Sequence, residues 1–254
     1  MRQQAAKSLV GRWDAMQAEY IPWREARFSC LFDLLEARLP IRFRALDLGC
    51  GPGSLSVRLL ARFPRARCDA LDFDPVLLTL GQACHGTMEG RLRWIEADLR
   101  RPEWSRVLGG VKFDAVVTTT ALHWLSGREL KRVYQEAFAL LRRGGILLNG
   151  DRARIGPKDR KLLALSTHAS LRRLKRDMGK GPSLSWRAWW RSATQEAQLR
   201  SLMPERRRRF PRADHWEPDL PASTHRRYLR DAGFSETEVV WRDLNNCIVA
   251  ALKD

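Results

Sequence analysis

The sequence predicts an α/β domain: a mostly parallel sheet covered by helices on both faces. Three observations carry this. Short apolar runs alternate with helical stretches from about residue 43 to residue 149, the order that parallel strands and their crossover helices follow. The first run, Ala45-Leu46-Asp47-Leu48, enters a turn with three alternating glycines, Gly49, Gly51 and Gly53, and then a new helical pattern. Such a turn lets backbone approach a ligand closely and offers it unpaired N–H groups of the helix start. The chain has 254 residues, 44% of them hydrophobic, ample for one buried core with or without an insertion.

Each element has its own signal. Trp13, Met16 and Tyr20, then Phe28, Leu31, Phe32 and Leu35, recur at helical spacing. Pro22 separates two helices, and Pro40 closes them before a first strand over 43–48. A helix over 55–63 and a strand over 67–71 follow. Asp74 before Pro75 reads as an N-cap with proline at the first helical position, for a helix reaching about Cys84. Strands are predicted over 92–95 and over the Val- and Thr-rich 113–118. A helix over 127–142 stops at Gly144-Gly145, and 146–149 is the fifth strand.

The alternation then breaks from about Arg152 to Pro221. Pro157 and Lys158 open a helix that reaches Met178, before Gly179-Lys180-Gly181-Pro182. Trp186, Trp189 and Trp190 share a second short helix, and Thr194 to Met203 form a third. Pro204 and an exposed loop at Arg206 to Arg209 follow, with Pro211, Pro218 and Pro221 beyond. The chain ends in a helix over 224–232, a strand over 239–242, a turn at Asn245-Asn246 and a strand over 247–251, which reads as a hairpin. The implied organisation is a pair of lid helices (1–40), a core domain (41–151 and 222–254) and a basic helical cap (152–221).

Net charge is +17, and its distribution is uneven. Residues 152–215 hold 18 Lys/Arg against 5 Asp/Glu. Concentrated positive charge attracts nucleic acid, anionic membranes or acidic small molecules; a solvated arginine-rich face is the plain alternative. No apolar run approaches the roughly 18 residues of a membrane span, so a soluble, cytoplasmic protein is expected. The five cysteines are scattered without a Cys-x-x-Cys pair, so neither disulfides nor a metal site is expected.

Counting the glycines narrows the ligand. A dinucleotide fingerprint starting at Gly49 requires glycine where Ser54 stands, and a phosphate-cradling loop requires Gly-Lys-Ser/Thr, which is absent. What remains, Asp47-Leu48-Gly49-Cys50-Gly51-Pro52-Gly53, resembles the first motif of the class I S-adenosylmethionine (SAM) dependent methyltransferases. The C-terminal hairpin is similar to the tail of that family, in which a reversed seventh strand inserts beside the parallel ones. The resemblance covers about residues 40–150 and 222–254. It implies a Rossmann-like, doubly wound sheet of seven strands with an antiparallel last strand, and SAM as cofactor.

The resemblance also implies roles. The glycine turn (Gly49, Cys50, Gly51) would pass under the amino-acid end of SAM, with Asp47 close to its ammonium group. Asp72 stands 21 residues after Gly51, where a nucleoside site holds the ribose hydroxyls; Phe73 would lie against adenine, and Asp74 is a rival acid better suited to capping. Trp94-Ile95-Glu96-Ala97-Asp98-Leu99 matches the third motif, with Asp98 accepting from the adenine amino group beside the Leu99 backbone. After Phe113 to Thr118, Thr119 and its neighbours would lie beneath the methionine part. The sequence lacks the Asn-Pro-Pro-Tyr of amino-group methylators, and no cysteine follows that strand to serve as a nucleophile.

Ala121-Leu122-His123-Trp124-Leu125 resembles the small-molecule branch, including the trans-aconitate and juvenile-hormone-acid carboxyl methylators. His123 is then a base or an orienting group, since imidazole titrates near neutrality; a structural histidine is the alternative. Tyr20, Trp124, Trp186, Trp189 and Trp190 are candidate substrate-pocket residues, with core packing open for the tryptophans. The expected activity is methyl transfer to a small acidic, partly apolar acceptor, at a carboxylate or hydroxyl oxygen. RNA methylation through the basic insertion, and SAM binding without catalysis, are the alternatives.

Overall fold

The computed structural model describes residues 1–156, 159–178, 185–210 and 220–254. The signals at Pro157 and Lys158, at Gly179 to Pro182, and at Pro211 and Pro218 lie outside the described residues.

Helices α1 (Gln3–Tyr20) and α2 (Arg24–Arg38) precede β1 (Arg44–Leu48), α3 (Ser54–Arg62), β2 (Arg67–Asp72), α4 (Pro75–His85) and β3 (Leu92–Glu96). Then come β4 (Phe113–Thr119), a 3-10 turn at Leu122–Trp124, α5 (Gly127–Leu140) and β5 (Leu141–Arg152). The inserted segment contributes α6 (Arg160–Met178), α7 (Trp186–Ala193) and α8 (Ala197–Arg209), and the chain closes with α9 (Ala222–Ala232), β6 (Glu236–Asp243) and β7 (Asn246–Leu252).

The seven strands form one sheet in the order β3-β2-β1-β4-β5-β7-β6. Strands β1 to β5 are parallel, and β7 runs antiparallel to both β5 and β6. The chain first steps outward from β1 and then restarts at β4, so the carboxyl ends of β1 and β4 flank a topological switch point, where ligands bind in open α/β sheets.

Alternation within each strand feeds two cores. Leu46, Leu48, Val116 and Leu147 face α5 and α9; Ala45, Cys68, Val117 and Leu148 face the α2 and α3 side. A third core joins α1, α4, α7 and α8, with Trp13, Met16, Leu80, Trp189 and Leu199 inside it. Trp189 is fully buried, packs edge-on to Trp13 with ring centroids 4.8 Å apart, and donates its indole N–H to the Leu9 carbonyl at 3.1 Å. Trp189→Phe removes that donor and leaves a void; a stability loss of about 2 kcal/mol is expected, read as a lower denaturant midpoint at unchanged slope.

Three local expectations are corrected. Helix α5 ends at Leu140, and Gly144-Gly145 lie inside β5 rather than capping the helix. Leu141 already pairs with Phe113 of β4, and the Gly144 N–H and Gly145 carbonyl bond to Lys253 at the chain end. The last turn is at Leu244 and Asn245, with Leu244 at φ 53°, and Asn246 opens β7. Arg206 to Arg209 are not an exposed loop: α8 runs through Pro204 to Arg209. Pro204 lacks an N–H, and the helix beyond it is held by the pairs from Glu205 to Arg208 and Arg209 and by tertiary contacts described below.

Candidate active site

The glycine turn is built tightly onto the sheet. The N–H groups of Gly49 and Cys50 both donate to the Leu71 carbonyl, at 2.8 and 3.0 Å. Gly49, Gly51 and Gly53 have φ of 70°, 56° and 90°, the left-handed region that glycine adopts without strain. At Gly49 a second constraint applies: a Cβ there would lie 2.3 Å from the Cβ of Ala121. The turn and the loop after β4 therefore touch through an absent side chain. Cys50 is buried, which pushes its thiol well up from the ordinary range.

Acids surround the turn. Asp72 Oδ2 accepts from the Gly51 N–H at 2.6 Å, and its Oδ1 from Phe73 N–H at 2.7 Å and Asp74 N–H at 2.8 Å. Asp72 thus braces the turn: Oδ1 is filled by two backbone donors, and Oδ2, with one, keeps a further lone pair for a hydroxyl donor. Asp74 caps α4 through the Val76 and Leu77 N–H groups. Asp47 is fully enclosed; its Oδ2 accepts from Ser56 at 2.6 Å, while Oδ1 has no hydrogen-bond partner. Burial pushes Asp47 up to about 7 and Asp72 up to about 6. Enclosure leaves neither Asp47 oxygen open to direct contact from outside the sheet.

Helix α1 is pinned to this turn. Asp14 accepts from the Ser54 hydroxyl at 2.6 Å and pairs with Arg24 and Arg58, each at 3.0 Å. Burial works against its charge, yet Arg24, Ser54 and Arg58 together hold its carboxyl below the usual range. Tyr20 closes the same helix, 39% exposed.

On the β2–β3 side, Asp98 is bound by its neighbour Arg100, with Nε at 2.8 Å, Nη2 at 3.0 Å and the backbone N–H at 3.0 Å. Leu99 packs against the α5-side core. The Phe73 ring lies under two guanidinium groups, Arg100 at 4.9 Å and Arg209 at 4.7 Å.

At the carboxyl ends of β4 and β5 a second cluster forms. Nδ1 of His123 lies 2.8 Å from Oδ1 of Asp151, and the His123 backbone N–H donates to Oδ2 at 3.1 Å. Burial pushes Asp151 upward, but the His123 imidazole, the Arg152 N–H and the Arg27 charge overcome it and hold its carboxyl well below the usual range. An ionised Asp151 fixes the proton of His123 on Nδ1 and makes Nε2 the acceptor nitrogen. Arg27 of α2, almost wholly buried, donates to the hydroxyls of Thr119 and Thr120 and to Asn246 Oδ1. Thr120 carries a φ of 55°, so this guanidinium fixes a strained residue at the mouth of the sheet.

The aromatic candidates divide. Trp124 is 49% exposed, its ring 5.3 Å from that of His123. Trp189 is core, fully buried between α1 and α7, and lines no pocket among the described residues. Trp186 packs on Trp13 and Trp190, and Trp190 lies 3.7 Å beneath Arg206. The ring and hydrogen-bond partners of these three, among the described residues, belong to α1, α7 and α8 rather than to the loops after β4 and β5. An open depression of about 460 Å³ lined by Trp186, Arg187, Trp190, Arg191, Thr194 and Met203 lies on that cap.

Sequence reasoning missed Asp151, Arg27, Thr120, Asp14 and Arg100. Asp151 had a usable signal, an acid ending the fifth strand at the ligand-binding edge. Arg27 had none, because in a helical pattern it reads as a surface charge.

An O-methyltransferase family protein from Burkholderia thailandensis has the same fold, with a TM-score of 0.57 at 20% identity over 89% of this chain and 56% of that one. Sheet order and the glycine turn define the class: a Rossmann-like fold of the class I methyltransferase type. Residues 45–145 match the methyltransferase domain family. Trans-aconitate 2-methyltransferase of Azoarcus sp. (strain BH72) is 31% identical over 137 residues, 53% of this chain and 49% of the relative. That of Streptomyces avermitilis is 34% identical over 124 residues, 46% and 43% of the two chains. The chain spans about half the length of the curated relatives it matches.

Proposed function

We propose that the chain transfers a methyl group from SAM to a small acidic acceptor, at a carboxylate or hydroxyl oxygen. The observation that carries this reading is the placement of two clusters on one edge of the sheet: the glycine turn with Asp47 and Asp72, and the His123–Asp151 pair after β4 and β5. The first suits SAM, since Asp47 and Asp72 set two carboxyl groups beneath the glycine turn and SAM carries positive charge at its ammonium and sulfonium groups. When bound, SAM supplies a methyl carbon already activated by positive sulfur. The protein's part is to align the acceptor, exclude water and, where the acceptor carries a proton, receive it.

His123 is the residue for that proton, with Asp151 holding its tautomer and ring plane. The pair lies beside Ala121, which touches the glycine turn, so proton acceptor and cofactor turn share one wall. The acidic character of the acceptor draws on the trans-aconitate methylation named for the two relatives. RNA methylation relies on the basic insertion, but Arg206, Arg208 and Arg209 are already paired with acids of this chain, which weakens that alternative.

The test is S-adenosylhomocysteine (SAH) formation over a panel of small carboxylic and hydroxy acids. A carboxylate is ionised at neutral pH and needs no base, whereas a hydroxyl does. His123→Ala is therefore expected to cut turnover about a hundredfold with a hydroxyl acceptor and to leave a carboxylate acceptor within about fivefold. Asp151→Asn should reproduce the split in weaker form. Equal losses on both acceptor types would remove the base role, and no SAH with any acid would remove the proposed acceptor class.

A further inference from the structure

The run Arg206 to Arg209 is the densest charge in the chain, and its geometry is directional. Residues three apart share a helix face, and Arg206 and Arg209 turn inward while Arg208 is 72% exposed and, among the described residues, pairs with Glu205 of its own helix. Arg206 Nε binds Asp74 at 2.6 Å. Arg209 donates to the Phe73 carbonyl at 2.9 Å, pairs with Glu96 at 2.7 Å and covers the Phe73 ring. Phe210, just past the helix, meets Phe73 edge-on at 5.7 Å. Arg100, while holding Asp98, also directs two N–H groups at the Arg209 carbonyl, at 3.3 and 3.4 Å. One helix end from the inserted segment thus grips the loops after β2 and after β3 together.

Those are the loops whose residues Asp72, Phe73 and Asp98 stand where an adenosine is held. Aromatic rings and guanidinium planes are the surfaces on which a purine stacks. We propose that the last turn of α8, with Arg206, Arg209 and Phe210, completes the adenosine side of the cofactor site as a latch that must lift for the cofactor to exchange. This rests on the SAM reading above. The adenine amino group, a donor, takes the place at Asp98 that Arg100 fills in this structure, and Arg100 moves to the ligand's face. The insertion then serves the cofactor, and its inward arginines are not a surface for a polyanion.

The experiment is SAH binding to the full chain by calorimetry, with dissociation followed by stopped-flow tryptophan fluorescence. Arg209→Ala should weaken SAH about tenfold and speed its release by a similar factor. Arg206→Ala should do so to a lesser degree, and Arg208→Ala should remain within about twofold of the parent chain. Arg209→Lys, which keeps the charge but loses the planar fork, should fall between and guards against a folding artefact, as do the thermal melts of all four. If Arg209→Ala and Arg206→Ala match Arg208→Ala in affinity and release, the latch is wrong. If they bind SAH more tightly, the arginines occupy the adenosine space as competitors and the proposal is likewise overturned. Failure of the parent chain itself to bind SAH would remove the SAM reading and the latch with it, a result read before any variant is compared.

Discussion

Gly49→Ala is expected to cost about three orders of magnitude in cofactor affinity while the sheet remains folded. Two penalties coincide at this position. The backbone φ of 70° is strained for any residue with a Cβ, by about 1–2 kcal/mol. The new methyl would also sit 2.3 Å from the Ala121 Cβ, against an ordinary carbon contact of about 3.5–4.0 Å. Ala121 is joined directly to the Leu122–Trp124 turn, so relieving the overlap moves His123 as well as the glycine turn. Displacements of about 1 Å at a reacting centre are enough to cost a hundredfold in rate, so turnover should fall further than the lost affinity alone accounts for. The control is Gly86→Ala, at φ 58° with nothing within 4 Å of the built Cβ: it carries the backbone strain without the overlap. SAH titration and thermal melts should give both variants a lower melting temperature and only Gly49→Ala a lost ligand. Equal affinities for the two would show that the contact between the turn and the β4 loop has no part in binding.

The contrast between those two glycines indicates where sequence reading succeeds. The strands, the α4 cap at Asp74 and the glycine turn were legible because each depends on neighbours in sequence: alternation, a proline after an acid, glycines at fixed spacing. Asp72 was legible for the same reason, as a strand end at a fixed distance from the turn. The remainder depends on residues remote in sequence. Helix α5 looked longer than it is because Gly144-Gly145 resembles a helix stop, while pairing of Leu141 with Phe113 and bonds to Lys253 decide the matter. Arg206 to Arg209 looked like a solvated loop because nothing local shows that Asp74 and Glu96 lie within reach. Trp189 is core because α7 packs on α1, more than 170 residues earlier. Arg27 and Asp151 meet the β4 loop only through the fold, so the resemblance at Ala121 to Leu125 could mark His123 as a candidate but not supply its partner.

Affinity for SAM is expected to fall by about three orders of magnitude between pH 8 and pH 5. Burial pushes Asp47 up to about 7 and Asp72 up to about 6 in the unliganded protein. A cationic ligand favours the ionised form of each, so binding lowers both values and releases protons. Above about pH 7 both acids are ionised already and affinity is flat. Below it, binding must first displace a proton from Asp47, then from Asp72 as well, which at pH 5 costs about a hundredfold for the first and about tenfold for the second. Stability of the unliganded protein runs the other way over the same window. With folded values above the unfolded ones, these two acids bind more protons when folded between about pH 4 and 7, so their contribution to stability grows as pH falls. Asp14 and Asp151, held below the usual range, contribute stability that is lost only at lower pH. The contribution of these two acids to stability and the SAM affinity should therefore move in opposite directions from pH 7 toward pH 5, while His225, lowered by burial to about 4, works against that stability gain over the same window. Calorimetry in buffers of different ionisation enthalpy reads the protons released, and Asp47→Asn should remove the upper step. SAH, which keeps the ammonium but not the sulfonium charge, should show a shallower slope. An affinity for SAM that stays constant from pH 8 to pH 5 would mean that neither buried acid senses the ligand's charge, and Asp47 would then be only the partner of Ser56.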